Sequence, residues 1–159
     1  MKHRIELSPE IRLIGMSTRM SMAQNQTQGL WKRFMPRLKE VSQVVDADLY
    51  SVEVYEPSFF TKFDPNALFD KWSAVAVAAV AEVPEGMQSI TISSGMYAVF
   101  LYIGPASEGG KAYRYIFETW LPSSGYVLDD RPHFAKMGTQ YLGENPQSEE
   151  EIWVPVRKG

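Results

Sequence analysis

An α+β fold made of two strand-helix-strand-strand units is what this sequence predicts, and three patterns carry that prediction. Alternating apolar residues mark strands, two stripes at three-to-four-residue spacing mark helices, and the order of elements repeats after roughly 80 residues as a duplication of architecture rather than of letters. Two such units, each laying one helix on a short antiparallel sheet, would pair about a pseudo-two-fold axis and leave a central cleft. The 159 residues suit one domain, 1–159, with internal halves at about 1–84 and 87–159 separated by the turn residues Pro84-Glu85-Gly86.

In the first half a strand is expected from Ile11 to Met20, with Leu13 and Gly15 on one side. The polar run Gln24 to Gln28 then supplies caps for a helix whose Leu30, Phe34, Leu38 and Val41 form one stripe. Pro36 falls inside that stripe, where it removes a hydrogen bond and clashes with the preceding turn, so a break is expected near Phe34 with a second short helix beyond it. After the turn Asp46-Ala47-Asp48, Leu49 to Tyr55 alternates Tyr50, Val52 and Val54 against Ser51, Glu53 and Tyr55. The stretch Glu56 to Asp70 is too apolar for a solvated loop and too broken by Pro57 and Pro65 for a regular element, which predicts a loop folded over a groove or core edge. A long strand follows from Lys71 to Val83, with Val75 and Val77 on one face and Trp72, Ala74, Ala76 and Ala78 on the other.

The second half opens on Met96 to Ile103, an unbroken apolar run typical of a strand covered on both faces. Gly104 and Pro105 end it, and Ala112, Tyr115, Ile116 and Trp120 form the second helical stripe, closed by Pro122 and Gly125. Strands from Pro132 to Leu142 and from Glu151 to Arg157 complete the unit.

Composition removes several function classes. The chain has no cysteine, which excludes disulfides, thiolate zinc sites and cysteine nucleophiles. A net charge of -3 with interleaved signs offers no basic stripe for a phosphate backbone, so direct nucleic-acid binding is not expected. The charged start Met1-Lys2-His3-Arg4 leads into no apolar core or membrane span; a cytoplasmic protein is expected, with His3 in a mobile tail. The run from Gly104 to Lys111 lacks phosphate-loop spacing, and with only His3 and His133 present neither a histidine metal site nor a catalytic triad is supported; no cofactor is expected. His133 is expected to make a structural hydrogen bond. The aromatic share of 13% points instead toward a ligand cleft, with an aromatic-rich core as the plain alternative.

Several stretches together resemble the GyrI-like small-molecule-binding domains, the effector modules found alone or behind AraC-type DNA-binding domains. They include Leu30-Trp31-Lys32-Arg33-Phe34-Met35-Pro36-Arg37, Lys71-Trp72-Ser73-Ala74-Val75, Trp120-Leu121-Pro122-Ser123-Ser124-Gly125-Tyr126, Arg131-Pro132-His133-Phe134 and Ile152-Trp153-Val154-Pro155-Val156. With no helix-turn-helix ahead of the first helix, the resemblance is to stand-alone members. It implies a cleft between pseudo-symmetric halves, and a buried glutamate that pairs with cationic aromatic ligands or, in a hydrolytic subset, acts as acid or base on strained cyclopropane-type substrates. Two departures bear on this. Where the family commonly carries glutamate, this chain has Ala135 and Ala76.

Strand parity groups Ala135 with Met137 and Tyr141, and Ala76 with Trp72; with Tyr55 and Trp153 these form the expected cleft wall. Glu53 and Glu118 are the candidate replacements for the missing acid. If neither faces inward, the cleft is neutral and favours uncharged ligands, because an unpaired cation would lose hydration without compensation. The expected function is non-enzymatic binding of hydrophobic, aromatic drug-like molecules, as a sensor or sequestering protein. One alternative is a GyrI-like hydrolase using Glu53, Glu118 or Tyr141. The other is a protein that modulates DNA gyrase through a protein partner the sequence does not name.

Overall fold

The computed structural model describes residues 1–159. In chain order it contains β1 (His3–Ser8), β2 (Ile11–Ser21), α1 (Thr27–Phe34), β3 (Leu49–Val54), β4 (Leu68–Ala76), β5 (Gln88–Ile92) and β6 (Gly95–Ile103). Then follow α2 (Gly110–Arg114), α3 (Leu121–Ser123), β7 (Tyr126–Leu128), β8 (His133–Met137) and β9 (Glu149–Lys158). The architecture is α+β: a large antiparallel sheet ordered β1-β6-β9-β8-β3-β4-β2-β5, with β7 on β9 and two main helical segments.

The order is symmetric about the β8–β3 seam, with β3, β4 and β2 on one side answered by β8, β9 and β6 on the other. The outermost strands are exchanged between halves. β1, which precedes β2 in sequence, pairs with β6, while β5, beyond the expected divide, pairs with β2. Only residues 9–10 separate β1 from β2, although the two stand near opposite ends of the strand order. Three Cα steps reach at most about 11 Å, so the sheet must curl until its ends meet.

That curl creates an inner face. Leu13 and Ile92 from one end of the sheet pack with Tyr97, Val99, Phe134, Trp153 and Trp72 in one buried cluster. The outer face carries the helices. α1 buries Leu30 and Phe34, each worth about 1.5–3 kcal/mol, and Phe34 lies against Ile14, Val75 and Val77. Ala112 and Ile116 cover Ala98, Phe100 and Ile152.

Local chemistry explains the helix ends. Asn25 Oδ1, rather than a side chain at the cap position itself, accepts from the Thr27 N–H at 2.9 Å. α1 stops at Phe34 and a tighter 3₁₀ segment, Met35–Glu40, continues with Pro36 in its first turn, as the proline predicts. α2 runs through a π-helical stretch, Tyr115–Trp120, in which the Leu121 N–H reaches the Ile116 carbonyl, and continues into α3 at Pro122.

Several boundaries depart from expectation. His3 is not in a mobile tail: β1 pins it, and its ring lies 5.5 Å from Phe100 and 5.4 Å from Trp120. β4 begins three residues early, at Leu68, and ends at Ala76 rather than Val83; Val77 keeps only an isolated bridge to Val44. β5 and β7 are short strands that were not anticipated. β8 ends at Met137, because Gly138 turns the chain and accepts from the Tyr141 N–H at 3.1 Å. No helix is long and apolar enough to cross a membrane.

Candidate functional site

On the helix-bearing face, Glu53 of β3 stands in register with Lys71 of β4 on one side and His133 of β8 on the other, so three titratable side chains form one row across the sheet. Lys71 Nζ donates to Glu53 Oε2 at 2.6 Å, and the two side chains are only 12% and 8% exposed. Above this row lies a pocket of about 560 Å³, closed on one side by Tyr113 and Phe117 of the second helical segment and on another by Phe59 and Phe60 of the 57–60 turn. Met20, Met22 and Phe69 complete the apolar wall, and Arg114, Glu118 and Asp64 also line it.

The aromatic rings form a chain of contacts around this space. Tyr55 lies 4.4 Å from Phe59, 5.0 Å from Phe69 and 4.9 Å from His133. Phe60 stacks between Phe117 at 5.3 Å and His133 at 5.4 Å, yet remains 40% exposed. The loop expected to fold over a groove therefore sends a ring into it.

Burial dominates the electrostatics. It pushes the Glu53 carboxyl up, while the Lys71 charge and hydrogen bond pull it back down. Burial, with the Glu53 charge second, raises the Tyr55 hydroxyl well above its usual range; the same two causes lead for Tyr113. Glu150 is raised by burial and by Glu53. His133 is lowered to about 3 by burial, with the Arg131 charge adding to the effect, so it stands as neutral imidazole. In place of the hydrogen bond expected of it, His133 contacts the rings of Tyr55, Phe60 and Phe117.

The expected wall is split between the two faces of the sheet. Glu53 and Tyr55 line the pocket, and Glu118 does so from the helix. Ala135 shares their face one row from His133, opposite Ser51 and Ile152, and Met137 lies opposite Leu49 farther along; both are buried away from the pocket. Trp72, Ala76 and Trp153 face the opposite way, in the inner cluster. Parity groups Trp72 with Ala76 correctly, but the room left by the small residues is filled: Ala74 and Ala76 belong to one buried cluster with Leu13, Tyr50, Tyr97 and Phe134. Tyr141 lies in a half-exposed turn beyond β8, because the strand is too short to carry it.

Tyr113, Phe117 and Lys71 line the pocket without a signal in the sequence that marks them for it, and His133 packs beneath its rings. Phe117 falls outside the buried stripe that identified the helix, and Lys71 acquires meaning only through its register with Glu53. The Arg131-Pro132-His133-Phe134 stretch is largely scaffold: Arg131 sits 4.6 Å over the Tyr97 ring, and the Tyr97 hydroxyl donates to the Pro132 carbonyl at 2.8 Å.

Comparison with known proteins places this geometry. A family model described as a GyrI-like small molecule binding domain matches residues 1–157. A DNA gyrase inhibitor of Erwinia billingiae is 33% identical over 92 residues, 54% of this chain and 57% of that protein. The transcriptional regulator BrlR of Pseudomonas aeruginosa is 25% identical over 158 residues, 98% of this chain and 56% of that protein. The matches thus span a little over half the length of each curated relative. Among solved structures, SAV2435 bound to tetraphenylphosphonium shares the fold with a TM-score of 0.67 at 15% identity, over 99% of this chain and 94% of that one.

Proposed function

The chain belongs to the GyrI-like small-molecule binding domains, and from that membership we propose that its ligands are hydrophobic aromatic molecules, held without chemical change in the pocket above Glu53 and Lys71. One observation carries the reading: Tyr55, Phe59, Phe60, Tyr113 and Phe117 are only partly buried and surround a single concave space. Core rings are covered on all sides, whereas these keep surface on which a flat ligand can stack, each good ring pair adding about 0.5–1.5 kcal/mol beyond area burial.

Binding is favoured over catalysis by the state of Glu53. A general acid or base must be free to exchange a proton with the substrate, and here one carboxylate oxygen is engaged by the Lys71 ammonium at 2.6 Å. A protein that holds its ligand unchanged suits sensing or sequestration. The regulator and the gyrase inhibitor among its relatives, and the phosphonium bound to SAV2435, support that class of role.

The test is calorimetric titration of the protein, and of Phe117→Ala, with a panel of three-ring aromatic compounds, followed by recovery of the compound. Saturable binding that weakens about tenfold in Phe117→Ala, with the compound recovered intact, is the expected outcome. Affinity unaffected by Phe117→Ala, or conversion of the compound to product, contradicts it.

A further inference from the structure

The Glu53–Lys71 pair sets a condition on ligand charge. Lys71 Nζ donates to Glu53 Oε2 at 2.6 Å, its only hydrogen bond to the protein, which leaves two of the three ammonium N–H groups without a protein partner. Both side chains also line the pocket. We propose that Lys71 is a specificity-determining residue: its ammonium holds the place on Glu53 that a ligand cation would need, and the pocket selects uncharged aromatic molecules that present a hydrogen-bond acceptor to Lys71. The inference rests on the pocket reading above and deepens it.

Around the pair, Arg114 and Glu118 of the second helical segment carry opposite charges, and Asp64 in the 61–67 loop adds one negative charge that is not in contact with Lys71. On β9, burial first and the charge of Glu53 second raise the Glu150 carboxyl, while the charge of Lys71 lowers it. A cation entering this space gives up hydration but meets a carboxylate already neutralised at contact distance. Displacing Lys71 offers little gain, because its stem is anchored on β4 in register with Glu53 and the freed ammonium would stay within an aromatic pocket. A neutral acceptor such as a phosphoryl or carbonyl oxygen meets no such penalty and gains a charge-assisted hydrogen bond.

Two probes with the same three phenyl groups separate the possibilities: triphenylphosphine oxide, neutral with a strong acceptor, and methyltriphenylphosphonium, a cation without one. Calorimetry on the wild-type protein should give the oxide an affinity about tenfold above that of the phosphonium. Lys71→Met should reverse the order. Because that variant leaves a buried carboxylate unpaired, the Glu53→Gln/Lys71→Met double variant serves beside it; it removes both charges and should bring the two affinities close together. Phosphonium binding as tight as the oxide in the wild type, or an oxide-to-phosphonium ratio unchanged in the double variant, overturns the assignment to Lys71 while leaving the aromatic pocket intact. Binding of neither probe overturns the pocket reading and this inference with it.

Discussion

Two aromatic regions lie back to back across the same sheet and differ in one respect. On the inner face, Tyr97, Phe134 and Trp153 are at most 4% exposed, and Phe134 and Trp153 stack at 5.1 Å with every ring surface covered by a neighbour. On the outer face, Tyr55, Phe59, Phe60 and Phe117 make ring contacts just as close but keep surface on a pocket. The difference is not one of residue type. Curling closes the inner face on itself, whereas the outer face is roofed only where α1 and the second helical segment land, and the gap between them stays open.

The contrast sharpens into measurements. The largest effect is expected from Trp153→Ala, which should cost about 3–5 kcal/mol of unfolding free energy by urea titration, as for other large-to-small changes at full burial. A milder Trp153→Phe change should leave ligand affinity where it was. An affinity loss in Trp153→Phe matching that of a pocket variant would erase the distinction between the regions.

Next in size is a pH effect seated at the boundary of the pocket. The folded-state pKa of His133, about 3, lies below its ordinary 6.5, so the folded protein resists a proton that the unfolded chain accepts. Its contribution is therefore fully present above pH 6.5 and is lost as pH falls toward 3, amounting to at most about 5 kcal/mol. Glu53 acts in the opposite sense, since a raised carboxyl favours the folded state more as pH falls. His133→Phe, which keeps an aromatic ring in the row, should flatten the stability profile between pH 6 and 4 relative to wild type. An unchanged profile would mean that the imidazole is hydrated in the folded state.

A smaller effect, confined to binding, is expected from Phe117→Ala. Part of that ring is already in contact with solvent, so unfolding free energy should fall by about 1 kcal/mol while affinity drops about tenfold. Smallest is Phe60→Ala. Its ring fills the space between Phe117 and His133, and its removal should quicken ligand association by a few fold in stopped-flow traces. Slower association would mean that the ring speeds ligand entry rather than obstructing it.

Much of the fold was legible because its signals are local. Pro36 marked the end of α1, and the alternation Ser51, Glu53, Tyr55 fixed which side chains share a face, which is why two pocket residues were found. What the sequence could not show is which face of each strand would be consumed. That choice depends on the curl imposed by the short β1–β2 and β5–β6 links, a constraint between segments distant in sequence. Parity alone therefore puts Trp72 and Trp153 in the cleft, although they fill the core. β1 escaped notice because the strand itself is mostly exposed: Leu7 is 75% exposed, so no buried stripe announces it. Ala135, where the family resemblance led to an expected acid, lies one row from a pocket whose carboxylate comes from β3 instead.

The measurement that bears most directly on this division is the position of a bound aromatic molecule, read from intermolecular nuclear Overhauser effects between the phenyl protons of triphenylphosphine oxide and the protein. Cross-peaks to Tyr55, Phe59, Tyr113 and Phe117 are expected. Cross-peaks to Trp72, Ala76 and Trp153 instead would place the ligand inside the curled sheet and contradict the assignment of the outer pocket as the binding site.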